Sequence, residues 1–377
     1  MKIALDLRRI KNPGIGRYMR CLTEALLRAN SEHEYLLILA PEEFDEFELP
    51  GAAVEKITCS AKYYSLSEQV VLPRLLRKHK VDLLHSPHFT MPLFSPCPVV
   101  VTMHDVIYLA CPEDLPSRVG RLYYRGMMMS AARLASRIIT DSEFSRGDIL
   151  HHLNADPKKL EVIHCGVEPR FRPVTDAAQR RAVCSVYGIK DNFILYTGIF
   201  RPRKNHVDLL RAFRVLRSRG LQAQLVFAGP ANGEEISTKC LAQDLGIAEH
   251  VVFTGYVRDS DMPALYSAAR VYACPSLYEG FGFTVLEAMA CGTPVVSSGA
   301  ASLREVAGAA ALYADPRHAE EFACALEQVF HDPATRSQMI EKGLHNCRRF
   351  RWEQTADATL AVYHSALALP AKQTAFA

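Results

Sequence analysis

The sequence predicts an α/β protein built from two doubly wound parallel-sheet domains. Short apolar strands alternate with helical patterns through the first half of the chain, near residues 2–6, 35–40, 81–85, 98–103, 137–141 and 160–164. A polar segment around 166–190 follows as a predicted linker, and further strands lie near 193–198, 224–229, 250–254, 270–274 and 294–297. Such alternation is typical of parallel sheets covered by helices on both faces. We therefore predict one domain over residues 1–170 and a second over residues 171–351.

Length, charge and cysteine content narrow the function classes. A chain of 377 residues can bury two cores of ordinary size. The net charge of +3 provides no broad positive field, so nucleic acid is not an expected partner. Eleven cysteines occur singly without a C-x-x-C pair, which indicates free thiols in a reducing cytosol and no zinc site. With no signal peptide and no apolar run of membrane-spanning length, we expect a cytoplasmic protein.

The most informative motif is a pair of glutamates, Glu279 and Glu287, on either side of Gly280-Phe281-Gly282. A helix is predicted from Gly282 to Ala290, with glycine and proline just beyond its end. A helix N-terminus with nearby glycines offers free N–H groups and a partial positive charge to a phosphate. Ionised carboxylates accept hydrogen bonds from sugar hydroxyls. The motif favours a sugar-nucleotide site, the alternative being two surface glutamates that flank a loop by chance.

This motif resembles the signature of the family-4 glycosyltransferases of the GT-B fold, and the resemblance extends nearly end to end. It implies two Rossmann-like domains that face a cleft, with a last helix near 352–369 that packs back on the N-terminal domain. It also implies that Glu279 faces the donor sugar, that Glu287 holds the ribose, and that the backbone donates further hydrogen bonds at Gly282, Phe283 and Thr284.

A basic loop, Arg201-Pro202-Arg203-Lys204, follows a strand of the second predicted domain and precedes a helix. Cations at the carboxyl end of a strand can neutralise a diphosphate leaving group, whereas a solvated basic turn is the alternative. Lys204 falls on the lysine of the family motif. Many family members carry an arginine directly after the glycine, where this chain has Ile199. Arg201 or Arg203 must take that role, and the sequence leaves the choice open.

A glycine loop follows the first strand, with Gly14 and Gly16 two positions apart. The pattern is a poor dinucleotide fingerprint, because Met19 stands where the third glycine would be. A glycine loop at a helix N-terminus still lets a diphosphate approach the backbone. In the family that the chain resembles, this loop caps the donor diphosphate. Gly14 and Gly16 are therefore candidate donor-binding residues, and a tight turn without a binding role is the alternative.

Three histidines of the first domain lie at or near strand ends. His104 follows the buried strand that ends at Met103, a position that favours a functional role, and it matches the active-site histidine of the family. His85 and His88, one strand earlier, are expected to line the acceptor side of the same cleft. Asp141 precedes a capping-box-like helix start at Ser142, and no further role is predicted for it.

Two basic clusters of the first domain suggest contact with a membrane. Arg118, Arg121 and Arg125 share one predicted helix with aromatic and methionine residues, and no acidic residue lies among them. Arg74, Arg77 and Lys78 form a second cluster. A basic amphipathic surface suits anionic lipid, and the alternative is a solvated face over a core stripe. We predict peripheral, salt-sensitive attachment.

Together these motifs predict a retaining glycosyltransferase of cell-surface polysaccharide biosynthesis, with His104, Glu279 and Lys204 as catalytic residues. Sugar would move from a nucleotide-diphosphate donor to a hydroxyl of a glycan or lipid-linked acceptor, by the same-face attack that the resemblance implies. The glycine loop and the Pro-Arg-Lys-Asn segment resemble those of mannosyltransferases, which favours GDP-mannose. The alternatives are a nucleotide-sugar epimerase and a noncatalytic sugar-nucleotide-binding protein.

We predict no cofactor and no metal site. Lys204, together with Arg201 or Arg203, and two helix N-termini would already face the diphosphate. A divalent cation would then add little to the neutralisation of the leaving group.

Overall fold

The computed structural model describes residues 1–12, 14–29, 32–47, 54–115 and 117–369. The chain divides into two compact units. The first joins Met1–Gly166 to the segment that begins at Arg351, and the second is Val167–Phe350. The first unit therefore ends four residues before the boundary near 170 that the sequence pattern suggests.

Helices cover both faces of the sheets. Numbered in chain order, they are α1 (Ile15–Ala29), α2 (Glu68–Lys78), α3 (Ile107–Ala110), α4 (Arg118–Leu134), α5 (Glu143–Leu153), α6 (Ala177–Val186), α7 (His206–Ser218), α8 (Glu235–Asp244), α9 (Met262–Ala268), α10 (Phe283–Ala290), α11 (Leu303–Ala307), α12 (Ala319–His331), α13 (Pro333–Cys347) and α14 (Trp352–Leu367). Short 3₁₀ turns are not numbered.

The first unit contains a parallel sheet with the strand order β3-β2-β1-β4-β5-β6-β7. Its strands are β1 (Lys2–Asp6), β2 (Glu34–Leu39), β3 (Glu55–Thr58), β4 (Leu83–Ser86), β5 (Val99–Thr102), β6 (Arg137–Thr140) and β7 (Leu160–Val162). Helix α14 packs against α1, so the last described helix belongs to this unit. The strand order reverses between β1 and β4, and ligands of doubly wound sheets bind at such a point.

The second unit contains a parallel sheet with the strand order β10-β9-β8-β11-β12-β13. Its strands are β8 (Phe193–Thr197), β9 (Gln224–Ala228), β10 (Val251–Gly255), β11 (Val271–Cys274), β12 (Val295–Ser297) and β13 (Ala311–Tyr313). Both faces of β8 are covered, because Ile194 and Tyr196 join one core cluster while Phe193 and Leu195 join the other. The predicted class of two doubly wound parallel-sheet domains is confirmed.

The structure corrects the sequence pattern at three places. Strands β3 and β13 were not predicted, because both are short, lie at a sheet edge and have no fully buried face. The segment 166–190, predicted as a linker, contains helix α6. This helix begins after Asp176, whose side chain accepts a hydrogen bond from the Ala178 amide at 2.8 Å. Most residues of α6 are exposed, so the apolar periodicity that marks a helix is weak in its sequence.

Candidate active site

Two loops of the second unit meet because the strands before them are neighbours. Strand β8 leads into the basic loop and β11 leads into Glu279, and these strands pair where the strand order reverses. Lys204 Nζ donates a hydrogen bond to Glu279 Oε1 at 2.5 Å, and both side chains are largely buried, with 14% and 13% of their surface exposed. The structure therefore brings together two of the three predicted catalytic residues.

Glu279 stays ionised despite its burial. Burial alone would raise the pKa of this carboxyl, but the charges of Lys204 and Arg203 and hydrogen bonds from Lys204 and Ser276 hold the pKa below its usual value. An ionised carboxylate only accepts hydrogen bonds. Near neutral pH the second Glu279 oxygen is therefore suited to a hydroxyl donor.

The two arginines of the basic loop have different surroundings. Arg201 Nη1 donates to Glu234 Oε1 at 2.7 Å, and both side chains are 39% exposed. Arg203, in contrast, is one of the charges that lower the pKa of Glu279. Arg203 thus adds positive charge in the surroundings of Glu279, whereas Arg201 is directed toward Glu234.

The loop between Glu279 and α10 is held by one buried serine. Ser302 Oγ donates to the carbonyl oxygens of Glu279 and Phe281, at 2.9 and 2.8 Å. Gly282 then caps the helix with φ +106°, a left-handed conformation that L side chains rarely adopt. The amides of Phe283 and Thr284 follow in the first helical turn, where N–H groups and the helix dipole favour an anion.

Glu287 lies in a buried polar cluster on α10, with 4% of its surface exposed. Tyr266 donates its hydroxyl hydrogen bond to Glu287 Oε2 at 2.9 Å. The same hydroxyl lies 2.9 Å from Thr197 Oγ1, which lies 3.2 Å from the hydroxyl of Tyr272. Glu279 therefore contacts a lysine and Glu287 a tyrosine, so the two glutamates have distinct electrostatic surroundings.

His104 of the first unit has an acidic partner that sequence reasoning missed. His104 Nδ1 donates to Asp141 Oδ2 at 2.7 Å, and Nε2 lies 3.3 Å from the Pro87 carbonyl oxygen. Burial lowers the pKa of His104, but the charge and hydrogen bond of Asp141 outweigh it and raise the pKa above its usual value. Strands β5 and β6 are neighbours, and each of the two residues follows the end of one of them. That placement was a signal in the sequence for the pair.

The expectation that His85 and His88 line the acceptor side is wrong, because both rings are buried. His85 has no exposed surface and hydrogen bonds to Tyr363 at 2.6 Å and to Thr102 at 2.9 Å. Burial and the nearby His104 lower its pKa to about 3. His88 is 4% exposed and packs against Phe89, with ring centroids 4.1 Å apart. All four residues of strand β4, including His85, are buried.

Backbone geometry explains both glycines in the glycine loop of the first unit. Gly14 has φ +81° and is exposed. A Cβ at Gly16 would lie 1.9 Å from the Ile10 carbonyl oxygen, so only glycine fits there. The turn geometry alone therefore requires these residues, and their donor-binding role stays a prediction.

Comparison with known proteins shows the family of the chain. The model of Glycosyltransferase Family 4 matches residues 13–171, and that of Glycosyl transferases group 1 matches residues 186–345. The O-antigen chain mannosyltransferase B of Escherichia coli is 30% identical over 381 residues, which cover 96% of this chain and 99% of that protein. The chain belongs to the family-4 glycosyltransferases.

Two further proteins are similar to this family-4 glycosyltransferase. The D-inositol 3-phosphate glycosyltransferase of Kribbella flavida is 33% identical over 289 residues, which cover 71% of this chain and 66% of that protein. The solved structure of HepE from Anabaena, in complex with UDP and glucose, has a TM-score of 0.78 at 20% identity and covers 97% of this chain and 100% of that chain. The similarity to the HepE structure confirms the GT-B fold.

The prediction that the glycosyltransferase needs no metal neglects one Asp-x-Asp triplet, Asp259-Ser260-Asp261. In the structure Asp259 Oδ2 accepts from Arg170 at 3.1 Å, and Asp261 Oδ2 accepts from Tyr187 at 2.8 Å and Arg258 at 2.9 Å. Within the described ranges, no group of three His, Cys, Asp or Glu side chains is arranged to hold a metal ion. Metal independence stays a prediction.

No helix among the described residues is long and apolar enough to cross a membrane.

Proposed function

We propose that this glycosyltransferase moves a hexose, mannose in the first instance, from a nucleotide-diphosphate donor to a hydroxyl of a glycan or lipid-linked acceptor, with retention of configuration. The contact between Lys204 and Glu279, beside the N-terminus of α10, carries the proposal. It supports a site that combines a cation, a carboxylate suited to sugar hydroxyls and a helix N-terminus.

Lys204 and Arg203 are assigned to the diphosphate. An ammonium group has three donors, so Lys204 can bond Glu279 and a phosphate oxygen together. Arg203 adds a second charge within the field of Glu279. Positive charge fixed in advance stabilises the negative charge that develops on the leaving diphosphate. Gly14 and Gly16 of the first unit remain candidate residues for contact with the donor. Arg201 is assigned a smaller contribution to diphosphate binding than Arg203.

Glu279 is assigned to the sugar hydroxyls and not to nucleophilic attack. A carboxylate bonded to an ammonium at 2.5 Å, with a lowered pKa, is a poor nucleophile and a poor base. The acceptor oxygen would then form its bond to the anomeric carbon on the face from which the phosphate leaves. The acceptor's proton would pass to the departing phosphate oxygen, so no protein base is needed. His104 would orient the sugar, and Glu287 would hold the ribose.

Similarity to a mannosyltransferase of O-antigen chains supports mannose as the sugar, a glycan as the acceptor and polysaccharide biosynthesis as the setting. GDP-mannose is proposed as the donor because the glycine loop and the Pro-Arg-Lys-Asn segment resemble those of mannosyltransferases. HepE, which shares the fold, was solved with UDP and glucose, so a UDP-sugar is the donor to compare. The reaction is proposed to take place in the cytoplasm.

Thermal unfolding in the presence of GDP-, UDP-, dTDP- and ADP-sugars tests the donor. A ligand at a hundred times its Kd stabilises the native state by about 2.7 kcal/mol, so the true donor should stand out by its raised Tm. We expect GDP-mannose to raise Tm in the wild type and much less in Lys204→Ala. The absence of a shift with every sugar nucleotide would contradict the proposal.

The reaction class is tested by product analysis. Incubation with donor and a mannose-containing acceptor should give a glycoside whose anomeric configuration, read by NMR, matches that of the donor. An interconverted sugar nucleotide would instead indicate an epimerase. Donor binding without any turnover would indicate a noncatalytic sugar-nucleotide-binding protein.

A further inference from the structure

Exposed apolar side chains are concentrated in one part of the first unit. Val119 is 80% exposed, Leu122 is 74% exposed and Leu66 is 88% exposed. Four more large apolar residues between positions 64 and 123 are exposed, namely Tyr64, Val70, Phe94 and Tyr123. Single exposed apolar residues are ordinary, but a group of them indicates a surface that another body covers.

Helix α4 presents an apolar face to solvent as well as to the core. Tyr124 and Met128 are buried in the core of the first unit. Val119, Leu122 and Tyr123 occupy the outer side of the same first turns. The outer side of a surface helix is normally polar, because only one stripe is needed for the core. The outer face of α4 therefore has an apolar surface that the fold of this unit does not use.

The segment before α2 extends this surface. Tyr123 donates its hydroxyl hydrogen bond to the Tyr64 carbonyl oxygen at 3.0 Å, and the two rings lie 6.1 Å apart. Helices α2 and α4 pack into one core cluster, so they lie on the same face of the sheet. We call the exposed apolar residues at these two helix starts the apolar rim. Its members are Tyr64, Leu66, Val70, Val119, Leu122 and Tyr123.

Positive charge flanks the apolar rim. Arg118 and Arg125 are exposed on α4, and this helix contains no acidic residue. On α2 the basic side chains Arg74, Arg77 and Lys78 are exposed, whereas its acidic residue, Glu68, is buried. Such a combination of apolar centre and cationic flanks is complementary to an anionic bilayer surface.

One arginine of the predicted basic cluster does not belong to this surface. Arg121 Nη1 donates to the carbonyl oxygens of Pro112 and Leu115, at 3.2 and 3.1 Å. Arg121 therefore ties the start of α4 to the preceding segment. The predicted cluster of three arginines on α4 is reduced to the two that flank the rim.

The apolar rim lies at the carboxyl edge of the first sheet. Helix α4 connects the parallel strands β5 and β6, so it runs back along the sheet and its first turns lie near the carboxyl end of β5. His104 follows the same strand end. We propose that the apolar rim inserts into the headgroup layer of an anionic bilayer, and so holds the edge that carries His104 at the surface where a lipid-linked acceptor lies. The acceptor part rests on the proposed function, whereas the insertion does not.

Vesicle flotation tests the insertion. The probe is phosphatidylcholine vesicles with and without 30% phosphatidylglycerol, an anionic fraction of about a third chosen to attract basic side chains. The variant Val119→Ser/Leu122→Ser removes apolar area from the rim and leaves every charge in place. Its matched control is Val186→Ser/Ile236→Ser, which changes two residues of the second unit that are 65% and 60% exposed. Because all four positions are exposed, both double variants should keep the wild-type Tm.

We expect the wild type and the control to float with anionic vesicles, and the rim variant to partition about tenfold less, because binding scales with buried apolar area. Part of the wild-type binding should persist at 0.5 M salt, where the Debye length falls to about 4 Å and exposed charges are screened. The arginine variant Arg118→Gln/Arg125→Gln should lose the dependence on phosphatidylglycerol and keep the salt-resistant part.

Three outcomes would overturn the insertion. They are no flotation of the wild type in low salt, equal flotation of the wild type and the rim variant, and a dimer in sedimentation that the rim variant abolishes. The last outcome would assign the rim to contact between copies of the chain. Thermal shift with donor, measured on the same variants, separates this test from that of the proposed function. The rim variant should bind donor like the wild type.

Discussion

Lys204 and Arg203 differ from Arg201 in what they contact, and this difference predicts their effects on activity. Lys204→Ala should cost about 2–4 kcal/mol of transition-state stabilisation if the ammonium meets the charge that develops on the leaving diphosphate. Arg203→Ala should lower kcat/KM more than Arg201→Ala, because Arg203 lowers the pKa of Glu279 whereas Arg201 is paired with Glu234. Steady-state kinetics with the identified donor measures all three. Equal losses for the two arginine variants would contradict the assignment.

The two glutamates should also separate in kinetics. Glu279→Ala should lower turnover at saturating donor by about ten- to a thousandfold, because the proposed contact with the sugar would matter most in the transition state. Glu287→Ala should weaken donor binding and raise KM, because the ribose that Glu287 is proposed to hold does not react. If both variants kept wild-type kinetics, the sites assigned to these residues would be wrong.

The His104–Asp141 pair predicts a pH dependence of stability. Because the folded pKa of His104 is raised, the charged pair stabilises the native state below the usual histidine pKa, and this contribution is lost as pH rises through the raised value. Other titratable groups that act on His104 or respond to it are Asp105, His85, His88 and Tyr18. The two other histidines have lowered pKa values and stay neutral above pH 6.

Asp141→Asn removes the charge and keeps the size of the side chain. The Tm difference between the wild type and this variant should be larger at pH 6 than at pH 9, measured by thermal unfolding across that range. Asp156→Asn, at an exposed cap of a 3₁₀ turn, is the matched control and should show no such trend. A Tm difference that grows with pH would contradict the charged pair.

At the level of single residues, sequence reasoning found side chains that follow strand ends and missed what those side chains contact. Lys204 and Glu279 were both singled out, but their direct contact depends on the pairing of β8 with β11. Asp141 was passed over because its neighbour Ser142 caps a helix, which explained the segment without it. His85 and His88 were misplaced because a strand end looks accessible in a sequence whatever packs over it.

Among the elements, α10 depends on a residue outside it. Ser302 is fully buried and holds the carbonyl oxygens of Glu279 and Phe281. Ser302→Ala should lower the free energy of unfolding by about 1–3 kcal/mol, because it leaves buried acceptors without their donor. It should also raise the KM for donor, since the loop before the helix loses its anchor.

Ser237→Ala is the matched control for this prediction. Ser237 Oγ also donates to a backbone carbonyl, that of Glu234 at 2.8 Å, but on the exposed side of α8. Chemical denaturation and donor titration of both variants make the comparison. Equal stability losses would show that burial of the Ser302 bonds is not what matters.

The central strands and the long helices can be predicted directly from the pattern of apolar residues, whereas the edge strands of the sheets cannot. Strands β4 and β5 are buried throughout, so their sequences are continuous apolar runs apart from polar residues at the carboxyl ends. Strand β3 has only intermediate and exposed residues and reads as a polar loop. Propensity and periodicity report burial, so an element that is only partly buried gives a weak signal.

For the whole enzyme we expect activity without a divalent metal. In the proposed site, Lys204, Arg203 and the start of α10 would supply the positive potential that a metal would otherwise bring to the diphosphate. Initial rates with and without EDTA, at fixed ionic strength, are the measurement, and they should agree. Loss of activity that manganese or magnesium restores would contradict this expectation. Asp259→Asn/Asp261→Asn would then show whether the Asp-x-Asp triplet is responsible.

The class of the fold was predictable because alternation of strands and helices is a property of the sequence alone. The boundary between the units was harder to predict from the sequence. Helix α6 carries few apolar residues, and Gly166 does not interrupt the alternation of strands and helices. The return of the last helix to the first unit was expected only from the family resemblance. In the structure it rests on contacts far apart in sequence, such as the hydrogen bond between Tyr363 and His85.

That return has a consequence for the order in which the protein is made. Helix α14 packs on α1, and Trp352 meets Tyr18 with ring centroids 5.9 Å apart. On the ribosome, Val167–Phe350 emerges between these two elements and can fold as an uninterrupted unit. At about 5–20 residues per second, its synthesis takes on the order of ten seconds or more. Throughout that interval α14 has not yet been made, so the apolar side of α1 that it covers stays exposed. The first half of the chain is therefore the part that chaperones and proteases can reach during translation.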